Sequence, residues 1–424
     1  MTDRSRRALL AALAATAAGA GLAGCGTRRG PDDPGGPTGG RGTPGSTGSP
    51  GPSGAPSPTP SDSPATPDSP ATPTPTSTTP CADALSMEQR IGQLMMMGVN
   101  SSGATAGQLD ILRSTGAGAV IMMGNYGGGR SGVRGVTDEM RSAADPPDGV
   151  DLLVATDQEG GLVQRLTGQG LDTIPAAATQ AGWSTATLRE RAERWGTQLK
   201  RAGVDSGLSP VADVVPPEIG NANKPIAANN RGYGSDPDEV AAKVVAVVEG
   251  LRAGGLATAL KHFPGLGRVT GNTDFATRVV DDTTTADDPL LEPFAAGIAA
   301  GSDMVMVATA VYSRIDPDHV AALSRAVIAE ALRDGLGWDG VVVSDDLGVA
   351  KAVSHLSPGR RAVGFLRAGG DLVVNVDPAS VSAMVEAVVA EASDDDDFAA
   401  AVTVKAERVL RMKAGRGLAE CPAG

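Results

Sequence analysis

The stretch "GVVVSDD", residues 340–346, is the part of the sequence that most directly indicates the fold. Its run of valines is too short for a helix, and β-branched side chains favour an extended strand. A strand that is apolar on both faces is typical of a buried parallel sheet. The run ends in two aspartates, so we expect charged side chains directly after a buried strand.

Other runs of the same kind precede and follow this stretch. They are QLMMMGV (93–99), AGAVIMM (117–123), DLLVATD (151–157), SGLSPVADV (206–214), ATALKHF (257–263), DMVMVATA (303–310) and DLVVNVDP (371–378). Amphipathic segments with helix-capping residues, such as 187–203 and 235–255, lie between them. Eight such strands that alternate with helices predict an α/β fold. The fold expected is a (β/α)8 TIM-like barrel that forms a single catalytic domain. A doubly wound open sheet is the alternative, but no glycine-rich phosphate-binding fingerprint follows the first strand.

Composition restricts the class of ligand. The formal net charge is −13, which argues against nucleic acid as a partner because nucleic-acid binding needs a basic surface. Only 3% of the residues are aromatic, so Ala, Val, Leu and Met must fill the core. The chain has 3 His and 3 Cys without metal-ligand clustering, and we expect neither a metal nor a cofactor.

The first 25 residues, MTDRSRRALLAALAATAAGAGLAGC, have the order of an export signal. Basic residues precede an apolar segment that ends in small residues. The ending LAGC resembles a bacterial lipobox and predicts a lipoprotein signal peptide (1–25) with lipid on Cys25. An ordinary signal peptide is the alternative. Export through the Sec route and export through the twin-arginine route both stay open. Residues 26–80, rich in Pro, Gly, Ser and Thr, predict a disordered linker before the barrel domain, 81–424. We therefore expect an exported protein, anchored by lipid at the extracellular face of the cell membrane.

The two remaining cysteines flank the barrel domain. Cys81 lies at its start and Cys421 lies near its end. Exported proteins favour disulfides, and the termini of a domain are often close together. We predict a Cys81–Cys421 bridge, with two free thiols as the alternative.

Ionisable residues gather at the ends of the predicted strands. Strand ends carry Asp157, Lys261, His262 and Asp345, and the following loops carry Arg165 and Arg231. Buried charge is costly unless it is paired, and barrel enzymes place their chemistry at this face. Asp345 is the candidate nucleophile, with helix capping as its alternative role, and Asp346 is the more structural neighbour. The other residues suit recognition of sugar hydroxyls; a core histidine and a surface ion pair are the alternatives for His262 and Arg165.

A family resemblance rests on several motifs in order: ATDQEGGLVQRL, LSPVADV, NNRGYGSDP, KHFPGLGRVTGNTDF and LGWDGVVVSDDLGVA. Together they resemble glycoside hydrolase family 3, in particular its single-domain β-N-acetylglucosaminidases of peptidoglycan turnover, over residues 85–415. The resemblance implies a TIM-like barrel and a retaining reaction through a covalent glycosyl-enzyme on Asp345. It also implies sugar-hydroxyl contacts from Asp157, Arg165, Arg231, Lys261 and His262.

The chain departs from that family pattern in one place. The resembled branch has K-H-F-P-G-H-G followed by D-S-H, in which the last His is the general acid/base and the Asp orients it. Here Leu266 stands at the second histidine of K-H-F-P-G-H-G, and Asn272-Thr273-Asp274 stands in place of D-S-H. A retaining glycosidase needs a nucleophile and an acid, and a carboxyl group can be that acid when its pKa is raised. We therefore expect Asp274 to be the acid/base and Asn272 to support its loop.

The sequence thus predicts a monomeric retaining hydrolase that releases β-linked N-acetylglucosamine from peptidoglycan fragments. Two alternatives remain open: a catalytically weak or inactive sugar-binding lipoprotein of the cell surface, and a β-glucosidase- or β-xylosidase-type member of the family. The sequence leaves open whether water or phosphate is the acceptor.

Overall fold

The computed structural model describes residues 81–421; the predicted signal peptide (1–25), with Cys25, and the predicted linker (26–80) lie outside the described residues. The central strands are β1 (Met95–Asn100), β2 (Ala119–Met123), β3 (Leu153–Thr156), β4 (Ser206–Gly207), β5 (Ala257–Phe263), β6 (Met304–Val307), β7 (Val341–Ser344) and β8 (Val373–Asn375). The α-helices are Met87–Gln93, Ala106–Thr115, Gly129–Ala143, Ala177–Gln180, Thr185–Arg201, Pro237–Ala253, Glu292–Ala299, Pro358–Ala368, Val381–Asp394 and Asp396–Ala414, and Ala326–Gly335 is π-helical. Among these described helices, none has both the length and the apolar character needed to cross a membrane.

Smaller elements decorate the loops. Short strands are Gln158–Gly160 with Val163–Gln164, and Val280–Asp281 with Val311–Tyr312 and Asp316–Val320. Single 3₁₀ turns are Cys81–Ala84, Gly220–Ala222, Ala227–Asn229, Pro289–Leu291, Ala321–Leu323, Lys351–Val353 and Pro378–Ser380.

The central strands form a closed parallel barrel. Hydrogen bonding joins them in the order β7-β6-β5-β4-β3-β2-β1-β8, and each neighbouring pair is parallel. A parallel bridge between Val343 and Leu372 connects the two ends of this order. The predicted (β/α)8 barrel is confirmed, and the open-sheet alternative is wrong.

One predicted strand is much shorter than its apolar run. Of residues 206–214, only Ser206–Gly207 form strand β4. Pro210 lies within the run and has no N–H to donate to a neighbouring strand. Pairing resumes beyond it, where Val211 forms a parallel bridge with Lys261.

The core contains few aromatic side chains, as composition requires. Methionines of β1, such as Met95 and Met96, are almost fully buried. Phe263 and Phe294 form an edge-to-face pair with ring centroids 5.3 Å apart between β5 and the helix Glu292–Ala299.

The same arrangement of an aspartate, a backbone N–H group and two cations occurs three times at the amino-terminal face of the barrel. An aspartate before β4, β6 and β8 accepts the backbone N–H of the second residue in the preceding strand. The pairs are Asp205 with Val154 (3.0 Å), Asp303 with Thr258 (3.0 Å) and Asp371 with Val342 (2.8 Å). Each carboxylate is also paired with cations: Arg141 and Lys200, Arg252 and Arg416, and Arg333 and Arg408 respectively. These carboxylates, of which Asp205 and Asp371 are buried, therefore hold neighbouring strands in register at the face away from the loops that carry the candidate site.

Lys413 is a buried cation at the same face. Its Nζ donates to Gln93 Oε1 (2.6 Å) and to the carbonyls of Gly118 (2.7 Å) and Asp151 (2.9 Å). Burial lowers the pKa of Lys413 to about 7. The side chain ties the last helix to the chain segments that enter β1, β2 and β3.

A disulfide joins the two ends of the barrel domain. Cys81, in the first 3₁₀ turn, is bonded to Cys421, and their Cα atoms are 5.1 Å apart. This is the pairing that the sequence predicts.

Candidate active site

The candidate site residues lie at the carboxyl-terminal ends of the strands. Asp157 directly follows β3, Asp345 directly follows β7, and Lys261 and His262 occupy the end of β5. The loops at this end carry the others, namely Arg165 after β3, Arg231 after β4, and Asn272 and Asp274 after β5. The barrel therefore places every residue that the sequence assigned to this site at its carboxyl-terminal end.

A chain of ion pairs holds the cations of the site. The Lys261 Nζ lies 2.7 Å from Asp157 Oδ1 and 2.6 Å from Glu159 Oε1. Glu159 also binds Arg231 through two bonds, from Nε at 2.8 Å and from Nη2 at 2.7 Å. All four side chains are thereby fixed in one network, in which each cation has at least one carboxylate partner.

The charges in this network stabilise one another. Burial opposes ionisation of Glu159, but the positive charges of Arg231 and Lys261 outweigh it and hold the pKa of that carboxyl well below its usual range. Burial likewise opposes the charge on Lys261, yet the carboxylates of Asp157 and Glu159 raise its pKa. The site therefore keeps fixed charges at neutral pH.

His262 is oriented by Asp213. Its Nδ1 lies 2.8 Å from Asp213 Oδ2, and its Nε2 lies 3.4 Å from Arg231 Nη2. A guanidinium group can only donate, so Nε2 accepts and the proton of a neutral imidazole is on Nδ1, facing the carboxylate. The other oxygen of Asp213 accepts the backbone N–H groups of His262 (3.2 Å) and Leu266 (2.7 Å). Asp213 therefore fixes both the ring and the backbone of the strand end.

Arg165 differs from the other cations of the site. Its Nη1 makes one long bond, 3.4 Å, to Asn125 Oδ1, and its buried Nε has no hydrogen-bond partner among residues 81–421. Its backbone N–H donates to the carbonyl of Asp157 at 3.3 Å, which keeps the two residues adjacent. The Arg165 guanidinium is thus held at the site with donors still available for a ligand.

The two aspartates after β7 have different surroundings. The backbone N–H of Asp345 donates to Val307 of β6 at 2.9 Å, and its half-buried carboxylate accepts the N–H of Asp346 at 2.9 Å. The Asp346 carboxylate instead accepts backbone N–H groups of the following turn, including Gly348 at 2.9 Å. Asp345 therefore presents its carboxylate at the strand end, while the Asp346 carboxylate is occupied by hydrogen bonds from backbone N–H groups.

Asp274 is on the loop after β5 and faces the same acidic pair. The Asn272 side chain accepts the N–H of Asp274 at 2.8 Å, which supports the loop as the sequence predicts. Desolvation by the surrounding protein, together with the negative charges of Asp345 and Asp346, raises the pKa of the Asp274 carboxyl to about 6. Asp274 is an exposed residue by surface area, so this desolvation comes from the protein around the loop and not from enclosure of the side chain. A carboxyl group that holds its proton near pH 6 and can be reached from solvent has the properties of a general acid.

Two residues of the site, Glu159 and Asp213, were given no role by the sequence alone. Glu159 comes two positions after Asp157 in the QEGG motif, and Asp213 ends a predicted strand, so both had a positional signal. Their partners are distant in sequence, and only the closed barrel shows which cations they hold. Leu266, which the sequence comparison with the family pattern singled out, is buried in the core and 3% exposed.

Within residues 81–421, no group of three or more His, Cys, Asp or Glu side chains is placed to hold a metal ion.

Comparisons with known proteins identify the family and support the barrel fold. Residues 86–412 match the glycosyl hydrolase family 3 N-terminal domain. A β-hexosaminidase of Stenotrophomonas maltophilia (strain R551-3) is 34% identical over 306 residues, which cover 70% of this chain and 87% of that protein. The crystal structure of a β-N-acetylhexosaminidase from Beutenbergia cavernae DSM 12333 is similar with a TM-score of 0.76 and 47% identity, covering 78% of this chain and 99% of that one. A family 3 β-N-acetylglucosaminidase from Paenibacillus sp. str. FPU-7 has a TM-score of 0.69 at 29% identity, covering 80% of this chain and 64% of that one.

Proposed function

The chain belongs to glycoside hydrolase family 3 and is an O-glycosyl hydrolase, and from this premise we propose that it is a retaining β-N-acetylglucosaminidase that acts on peptidoglycan fragments. The observation that carries the proposal is the pair of Asp345 and Asp274. Asp345 follows β7 at the strand end, and its charge helps to raise the pKa of Asp274 to about 6. One carboxylate and one carboxylic acid are the two groups that a retaining glycosidase requires.

In the first step Asp274 gives its proton to the glycosidic oxygen, and the Asp345 carboxylate attacks the anomeric carbon. The bond from that carbon to the glycosidic oxygen breaks, an ester to Asp345 forms, and the leaving group departs as an alcohol. Asp274 is then a carboxylate.

The electrostatic coupling of the two groups supports the second step. Once Asp345 is esterified it carries no negative charge, so one cause of the raised pKa of Asp274 is removed. Asp274 becomes a better-stabilised carboxylate at the stage at which it must take a proton from water. The water oxygen attacks the anomeric carbon, the ester bond breaks, and the sugar leaves with its original configuration while Asp345 and Asp274 return to their starting forms.

The ion-pair network suits recognition of the sugar. Lys261 uses its Nζ on Asp157 and Glu159, at 2.7 Å and 2.6 Å, which leaves one of its three N–H groups for a hydroxyl. Asp157 can accept a hydroxyl proton, and Arg165 and His262 complete the set. These are the residues that we assign to substrate binding, together with Arg231.

The choice of substrate rests on the relatives and on the amino-terminal region. Two similar solved structures are named as a β-N-acetylhexosaminidase and a β-N-acetylglucosaminidase, and the similar Stenotrophomonas maltophilia protein is named as a β-hexosaminidase. Export with a lipid anchor at Cys25 and a linker of residues 26–80 would place the barrel in the cell wall, where β-linked N-acetylglucosamine is available.

The test uses an aryl β-N-acetylglucosaminide and a set of variants. We expect wild-type protein to release nitrophenol, Asp345→Ala to lose this activity, and Asp274→Ala to be slow and to be rescued by azide, with a glycosyl azide of retained configuration as product. Asp138→Ala, an exposed carboxylate on the helix Gly129–Ala143, is the matched control. Full activity of Asp345→Ala would contradict the mechanism.

Parallel assays decide between the alternatives. Hydrolysis of aryl β-glucosides or β-xylosides instead of the N-acetylglucosaminide would indicate an enzyme with a different sugar specificity. Saturable binding of muropeptides without product would indicate a binding protein. A phosphorylated sugar product in phosphate buffer would identify phosphate as the acceptor.

A further inference from the structure

The turn after Asp345 is organised by the Asp346 carboxylate. Its Oδ1 accepts the backbone N–H of Gly348 (2.9 Å) and of Val376 (2.9 Å), and its Oδ2 accepts that of Val349 (2.8 Å) and of Ala350 (3.1 Å). One side chain thus satisfies three amides of its own turn and one amide just beyond β8. Charge-assisted bonds of this kind are short and fix geometry well.

A second buried charge holds the same turn from its carbonyl side. The Arg361 Nη1, on the helix Pro358–Ala368, donates to Leu347 O (2.8 Å) and Gly348 O (2.7 Å). Backbone N–H groups of the turn are therefore held by Asp346, and two of its carbonyl groups are held by Arg361.

This turn leads directly into the backbone that holds the Asp274 loop. The 3₁₀ turn Lys351–Val353 begins where the Asp346-bound turn ends. Its first two amides donate to the opposite loop, Lys351 N to Asp274 O at 3.4 Å and Ala352 N to Thr273 O at 3.2 Å. Thr273 itself is buried, so the loop is anchored at this point.

We propose that Asp346 is a positioning residue, which sets the place of Asp274 relative to Asp345 through the turn 347–350 and the amides of Lys351 and Ala352. The inference rests on the proposed function, because it takes Asp345 as the nucleophile and Asp274 as the acid. Asp346 follows Asp345 directly in the chain, so a single side chain connects the backbones that present both catalytic carboxyl groups. The negative charge of Asp346 also contributes to the raised pKa of Asp274.

The variant Asp346→Asn tests this role. An amide keeps the shape of the side chain but replaces one acceptor oxygen by an N–H donor, so two of the backbone bonds are lost. If the bonds position the acid, the loss of kcat/KM must depend on how much the leaving group needs a proton. We expect N-acetylglucosaminides of poor leaving groups, such as 4-methylphenol, to lose about tenfold more than those of 2,4-dinitrophenol, since small misplacements of a catalytic group are costly.

The control is Asp371→Asn, at the opposite face of the barrel. Asp371 is a buried carboxylate that also holds a backbone amide, Val342 N at 2.8 Å. Its loss should lower the folded fraction and reduce the rates for all leaving groups equally. An equal loss across leaving groups in Asp346→Asn would overturn the proposal, because a purely structural role predicts that result.

A second pair of variants applies if Asp346→Asn does not fold. Lys351→Pro deletes the N–H that binds Asp274 O, at a position that starts a 3₁₀ turn and follows the extended residue Ala350, where proline fits. Lys351→Ala keeps that N–H. We expect a steeper dependence on the leaving group in Lys351→Pro than in Lys351→Ala, and equal dependence overturns the proposal.

Asp274→Ala separates this inference from the proposed function. If Asp274→Ala itself shows no dependence on the leaving group, the assignment of the acid is wrong. If it shows a steep dependence and Asp346→Asn shows none, only the positioning role is wrong.

Discussion

The pH dependence of turnover should reveal the proton on Asp274. The first step needs Asp274 protonated, and its pKa is raised to about 6. Above that pH the acid loses its proton, so kcat/KM should fall. With a pKa of 6, about one molecule in ten keeps the proton at pH 7 and about one in a hundred at pH 8. We therefore expect an alkaline limb that begins near pH 6 and falls about tenfold for each further pH unit.

The assay is initial-rate hydrolysis of an aryl N-acetylglucosaminide between pH 4 and 9, with stability checked at each pH. The matched variant is Asp274→Asn, which keeps the size of the side chain but has no proton to give. Its alkaline limb near pH 6 should disappear, and the loss of rate should be about 10²–10⁴-fold with a poor leaving group.

Two results would refute this reasoning. A wild-type alkaline limb at pH 8 or above would mean that the raised pKa of Asp274 does not govern turnover. An alkaline limb near pH 6 that persists in Asp274→Asn would assign the titration to another group.

Other predictions concern the network and the frame of the barrel. Glu159→Gln removes a buried carboxylate between two cations and should lower the free energy of unfolding by about 3 kcal/mol and raise KM; urea denaturation and steady-state kinetics measure both effects. Burial lowers the pKa of Lys413 to about 7 from 10.5, so the unfolded chain binds a proton that the folded chain releases, and this residue makes stability rise with pH between these values. In Lys413→Met this part of the rise should be absent when denaturation at pH 7 and pH 9 is compared with wild type. Reduction of the Cys81–Cys421 bridge should lower the free energy of unfolding by about 2–5 kcal/mol, and an unchanged denaturation midpoint after reduction would contradict this.

Most of the barrel could be predicted from short-range patterns. Each apolar run contains a strand because a strand buried on both faces needs side chains that are mostly apolar. The run at 206–214 was predicted at too great a length, because hydrophobicity reports burial and does not report pairing. Pro210 is buried like its neighbours but has no N–H to donate to a neighbouring strand, and the regular pairing of β4 ends before it, at Gly207.

The site was predictable in its members but not in its connections. A charged residue after an apolar run is visible in sequence, and this signal identified Asp157, Lys261 and Asp345. It could not show that Glu159 lies between Lys261 and Arg231, because those contacts span 72 or more residues and exist only once the barrel has closed.

By itself the sequence determined the strand–helix alternation and the charged strand ends, because these are properties of residue type and local order. The resemblance to the family added the expectation that Asp274 stands where the family pattern has a histidine. Only the tertiary structure decided which groups each carboxylate binds. Asp213 binds His262, Glu159 binds two cations, and Asp346 accepts backbone N–H groups of the turn that leads to the Asp274 loop. The raised pKa of Asp274 belongs to the same class, since desolvation and the nearness of two carboxylates arise from packing. Electrostatic interaction depends on distance in space and on surrounding solvent, and neither is set by separation along the chain.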